Sequence, residues 1–146
     1  MSAMSAAMRM LRMVQLAMLV TILIYAVVGE VAGPRPKAVD PALTYVFTTL
    51  AVAIVGMIFV VRRTLVLRSA ESLAAHPDDA LTLNHWRTGY IATYVLCEAL
   101  ALLGLVLRFL GYNLQESLPY YAGGFVLLFF FGPKAPQRSP SERPMT

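Results

Sequence analysis

Among eight acidic residues in a chain of 146, Glu98 alone lies in the middle of an apolar run, so its chemistry comes first. A carboxyl inside a membrane helix costs roughly 2.5–3.5 kcal/mol on insertion scales, and it therefore faces protein or water. Two uses follow. It can fasten helices through a hydrogen bond, or it can bind and release a proton or sodium ion. Tyr94, four residues earlier, shares its helical face. Thr21, on the first apolar run, falls at the same depth when the runs are indexed from their charged ends. Glu98, Thr21 and Tyr94 are thus the candidate ion-binding set, with Thr21 or Tyr94 expected to donate to the carboxyl. Arg108, ten residues on, lies about 15 Å along the axis and is a poor partner for Glu98.

The remaining reactive residue types have plainer readings. Met1, Met4, Met8, Met10 and Met13 carry thioethers that suit copper(I), but a hydrophobic helix start explains them. His76, Asp78, Asp79 and His85 offer nitrogen and oxygen ligands, and a solvated loop with a helix cap accounts for them equally well. Cys97 adjoins Glu98 but points about 100° away on a helix. With Thr93, Ala101 and Gly104 it forms a stripe of small residues, a face for helix contact. Gly123 and Gly124 offer the same on the last run. No nucleophile–base pair, phosphate loop or membrane-depth histidine pair stands out. The expectation is a non-enzyme with no cofactor and no metal.

The elements that position Glu98 follow from charge. Hydrophobic residues make up 58% and charged residues 14%, against about 25% charged in soluble domains. That balance excludes a disordered chain, and a single cysteine excludes a disulfide scaffold. Charge-free runs cover residues 13–29, 41–61 and 117–133, and residues 88–107 are interrupted only by Glu98. A run near 20 residues suffices to cross the hydrocarbon. The expected fold is therefore all-α, a polytopic four-transmembrane-helix bundle within residues 1–132. Its spans are expected near 11–31, 42–62, 87–109 and 116–132, with a cytoplasmic loop over 63–86. The last run is short and has to borrow residues 112–116 or sit in thinned bilayer.

Proline and charge refine the picture. Pro119 fits the first turn of the last helix behind Ser117, and Asp78 and Asp79 read as caps of the third. Trp86, Tyr45, Tyr112, Tyr120 and Tyr121 lie near run ends, where an aromatic belt would form. Nine Lys and Arg residues fall on one side of the alternation, against Arg35, Lys37 and Arg108 on the other. By the positive-inside rule both termini are cytoplasmic, in a multi-pass cytoplasmic (inner) membrane protein. Arg9 and Arg12, the apolar run, and Gly29, Ala32 and Gly33 also resemble a secretory signal. The segment 62–85 reads as an amphipathic connection on the membrane surface or a docking segment. The Pro/Ser/Arg-rich tail 133–146 reads as disordered and cytoplasmic. Expected partners are the lipid bilayer and other membrane subunits or copies of the chain, not nucleic acid.

The stretch Glu98-Ala99-Leu100-Ala101-Leu102-Leu103-Gly104-Leu105-Val106 resembles the carboxylate helix of the proteolipid (c) subunits of rotary ATP synthases. The resemblance spans residues 93–107. It implies that Glu98 carries the transported proton or sodium ion. The family's glycine-rich partner helix has no counterpart, since the second run holds only Gly56. The sequence therefore supports two functions. The first is an accessory, structural or assembly subunit with Glu98 as an interhelical carboxyl. The alternative is a proteolipid-like ion-handling protein.

Overall fold

A computed structural model describes residues 2–136. Those residues form four helices: α1 (Ala3–Ala32), α2 (Pro41–Ala75), α3 (Ala80–Phe109) and α4 (Leu114–Phe130). The first three are long and apolar enough to cross a membrane. At 17 residues α4 is shorter, about 25 Å at 1.5 Å per residue against a hydrocarbon core of about 30 Å.

Each helix starts at a side chain that supplies an acceptor to the orphan amides of the first turn. Ser2 caps α1, Asp40 caps α2 with Pro41 at the first helical position, and Asp79 caps α3. The Thr82 hydroxyl also donates to Asp79, which holds that carboxyl below its ordinary range. The cap of α4 is Asn113, in a reciprocal box with Glu116: each side chain accepts the other residue's backbone N–H at 2.9 Å. This moves the start from the expected 116 to Leu114. Asn113 and Glu116 have the spacing of a capping box, so the helix begins earlier and Pro119 lies inside it.

The segment expected as a loop over 63–86 is mostly helical. Residues Arg62–Leu67 form a π-helical stretch that leads without a break into Arg68–Ala75. Only 76–79 separate α2 from α3. Wide turns of this kind rotate the following residues around the axis. Here they seat Val66 against α3, where a Cβ on Gly89 would come within 2.8 Å of both Leu65 and Val66.

The helix α3 is the hub. In its most apolar window 44% of residues are buried, against 11% for α1 and 6% for α2. All three other helices pack on it, and α1 also touches α4, whereas α2 and α4 scarcely meet. The core runs along α3 through Trp86, Tyr90, Tyr94, Cys97 and Ala101. Trp86 is fully buried, with its ring edge-on to Tyr90 at 4.9 Å, so it belongs to the core rather than to the expected aromatic belt. Tyr112 and Tyr121 are buried too, while Tyr45 is exposed. The tail expected over 133–146 lies outside the described residues from 137 onward, as does Met1. Its beginning is tethered, because the Lys134 backbone N–H donates to the Tyr90 hydroxyl at 3.2 Å.

Candidate functional site

Three polar contacts tie α1 to α3. Arg87 Nη2 approaches Met10 Sδ at 3.1 Å, the Tyr25 hydroxyl donates to Glu98 Oε1 at 2.7 Å, and Arg108 Nε donates to Glu30 Oε1 at 2.9 Å. The first and last join residues 77 and 78 apart in sequence, so α1 and α3 run parallel with one common offset. The middle contact has a separation of 73. Tyr25 therefore stands one turn beyond the level of Glu98 and reaches back to it. Helical side chains lean toward the N-terminus, and a tyrosine is long enough to cover that turn.

This geometry corrects the donor expected for Glu98. Thr21 is at the carboxyl's level by the common offset, but its short hydroxyl donates to its own Ala17 carbonyl at 2.9 Å. Threonine in a helix readily closes this bond one turn back. Tyr94 is fully buried in the core, and its hydroxyl has no hydrogen-bond partner among the described residues. The clue that was missed is Tyr25 itself, a lone phenol in the apolar run of α1.

Glu98 is half-buried at the rim of the α1–α3 seam. Of its neighbours one turn away, Val95 and Leu102 on one flank are exposed, while Tyr94 and Ala101 on the other are buried. One carboxyl oxygen is engaged by Tyr25, and no cation lies within 4.0 Å among the described residues. The nearest arginine along the helix, Arg108, is committed elsewhere. Besides Glu30 it donates to the carbonyls of Pro34 at 2.7 Å and Tyr112 at 3.3 Å. It also sits in the last turn of α3, where a cation is favoured by the helix dipole.

The small residues gather on the other side of α3. A Cβ on Gly124 would come within 2.6 Å of the Cys97 carbonyl oxygen and 3.1 Å of the Ala101 Cβ. A Cβ on Gly104 would meet Tyr120 at 3.0 Å and the Ser117 carbonyl at 3.1 Å. Cys97, Ala101, Gly104 and Gly124 thus line one α3–α4 seam. Gly123 meets α3 less closely, through the Leu100 side chain, which a Cβ there would approach to 3.3 Å. At the opposite end of α3, Arg62 turns inward from the π-helical stretch and lies over the Phe131 ring at 3.9 Å and the Tyr90 ring at 5.7 Å. The aromatic faces stabilise a guanidinium that has no carboxylate partner among the described residues. His76, Asp78, Asp79 and His85 gather no metal-ligand set of three among the described residues.

No protein-family model, curated protein or solved structure matches this chain.

Proposed function

We propose that the chain is a small multi-pass integral membrane protein that serves as an accessory or assembly subunit, with Glu98 as an interhelical carboxyl. The observation that carries the reading is the 2.7 Å hydrogen bond from Tyr25 to a rim-placed Glu98. A single phenol donor and no neighbouring cation suit a fastener better than a relay, which needs a chain of polar groups. The uncovered apolar faces of α1 and α2 suit lipid and neighbouring subunits. Both termini lie on the cytoplasmic side of the inner membrane, following the nine-to-three asymmetry of Lys and Arg. The short α4 crosses as a fourth span where the bilayer thins around it.

The proteolipid-like alternative draws on one observation, the half-exposed position of Glu98 beside exposed Val95 and Leu102. An ion-carrying carboxyl has to be reachable from its partner subunit. Glu98→Gln separates the two, because it keeps shape and hydrogen bonding while abolishing titration. The assembled variant is expected to keep the native mass of the wild type, above the 16.0 kDa of one chain, and to keep every proton- or sodium-dependent activity of its membrane. A wild-type protein that runs as a partnerless monomer in detergent sinks the subunit reading. Loss of an ion-dependent activity in an otherwise assembled Glu98→Gln protein establishes the alternative.

A further inference from the structure

Because α2 and α4 each rest on α3 but scarcely on one another, a cleft of about 620 Å³ opens between them. Its volume lies in the range of small-molecule sites. Two small residues keep it open, Ala51 on one wall and Gly123 on the other, with Leu100 of α3 as the floor. The contrast between adjacent glycines is informative. Gly124 is demanded by backbone contact with α3, whereas a Cβ at Gly123 would meet only the end of one side chain, Leu100 Cδ2 at 3.3 Å, which has to shift slightly to admit it. Backbone packing within this chain does not require glycine at 123.

The cleft has a polarity gradient. Around Ala51, Leu100 and Gly123 it is apolar. Toward the Arg108 end it passes two hydroxyl pairs, Thr48 with Tyr120 at 3.5 Å and Thr44 with Tyr112 at 2.9 Å. There it joins a second cavity of about 440 Å³ that shares Thr44, Tyr112 and Glu116 and adds Lys37. This mouth holds one cation and one anion that do not satisfy each other. Among the described residues Lys37 and Glu116 form no ion pair within 4.0 Å. Lys37 is positioned by its backbone N–H, which donates to the Gly111 carbonyl at 3.0 Å, and by its stem, which lies over Gly111. Gly111 has φ +101°, and a Cβ there would strike that stem at 2.7 Å. Glu116 accepts the Asn113 N–H through Oε2, leaving its other oxygen for an added donor.

We propose that this cleft is a binding site for a zwitterionic aminophospholipid of the phosphatidylethanolamine class. One acyl chain lies between α2 and α4, and the ester oxygens meet the hydroxyl pairs. The phosphate meets Lys37 and the ammonium meets Glu116. A head with phosphate but no amine would place negative charge beside Glu116 with nothing to offset it. A neutral apolar ligand would use neither charge.

Native mass spectrometry tests the assignment on the full chain, after extraction from bilayers of equimolar phosphatidylethanolamine and phosphatidylglycerol with matched acyl chains. The wild type is expected to retain one phosphatidylethanolamine in preference to phosphatidylglycerol by about fivefold, the order of one exposed ion pair. Glu116→Gln is expected to bring the two lipids to parity. Gly123→Phe, which fills the cleft, is expected to abolish retention, and Val95→Phe on the exposed face of α3 to leave it unchanged. Should Gly123→Phe fail to give a monodisperse helical protein, Ala51→Leu blocks the opposite wall and takes its place. Equal retention of the two lipids by the wild type, or retention that survives both cleft-filling variants, overturns the proposal and leaves only annular lipid.

Discussion

Toward α1, α3 presents Glu98 and Arg108, and toward α4 it presents Cys97, Ala101 and Gly104, one residue out of step with Glu98 but about 100° around the helix. On the α1 side the helices are tied by side chains that reach across: a phenol to a carboxylate, and a guanidinium to a second carboxylate and to the Pro34 carbonyl just past the end of α1. On the α4 side almost nothing reaches across, because the backbones themselves meet at Gly124 and the Cys97 carbonyl. In lipid, where burial of apolar surface between helices gains little, packing and interhelical hydrogen bonds are the two available means. The two means also fail differently. A close-packed seam fails when atoms are added, and a tied seam fails when they are removed.

The largest effect is expected at the close-packed seam. Gly124→Ala places a methyl 2.6 Å from a carbonyl oxygen that the rest of α3 holds still, so it should cost about 2–3 kcal/mol. Gly123→Ala should cost under about 0.5 kcal/mol, because the Leu100 side chain 3.3 Å away can shift into the cleft. Unfolding in detergent followed by the fluorescence of the single, buried Trp86 reports both. Equal costs at the two glycines would remove the distinction between a packed seam and an open cleft.

Next in size is Arg108→Ala. Breaking a fully buried pair costs about 3–5 kcal/mol. The Glu30 side chain is 42% exposed, against 8% for Arg108, so water screens what is left behind and about 2 kcal/mol is expected. Arg108→Lys should recover only part of it, since a lysine lacks the fork that serves Glu30 and Pro34 together. Full recovery by lysine would mean that charge alone, not directed hydrogen bonding, holds this end.

Smallest is the Tyr25–Glu98 bond. Interhelical hydrogen bonds in membranes average about 0.6 kcal/mol, so Tyr25→Phe should cost about that much. A double-mutant cycle with Glu98→Leu isolates the pair. A coupling indistinguishable from zero would show that Glu98 is not fastened by Tyr25, and would remove the support for the fastener reading.

How far the sequence reached depended on the range of the interactions involved. Charge spacing placed the helices because single charges are costly across a whole apolar run, whatever the packing. The depth index put Thr21 level with Glu98, which the 77 and 78 offsets of the flanking contacts reproduce. It misassigned the donor, because depth counts backbone rise while the bond is made by side-chain reach and lean. The start of α4 was expected two residues late, near 116, because Pro119 suits a first turn, whereas Asn113 and Glu116 have the spacing of a capping box. The helical continuation through Arg62–Leu67 was not legible, because its charged residues look equally at home in a solvated loop.

Residue order by itself determined an all-helical chain with long apolar helices, because hydropathy and helix rise are local properties that neighbours along the chain settle. Only the tertiary structure decided which of those helices is the hub, which tyrosine meets Glu98, which of two adjacent glycines is packed, and that a cleft lies between α2 and α4. Those outcomes depend on the rotation of one helix against another, which distant residues set jointly and no single segment encodes.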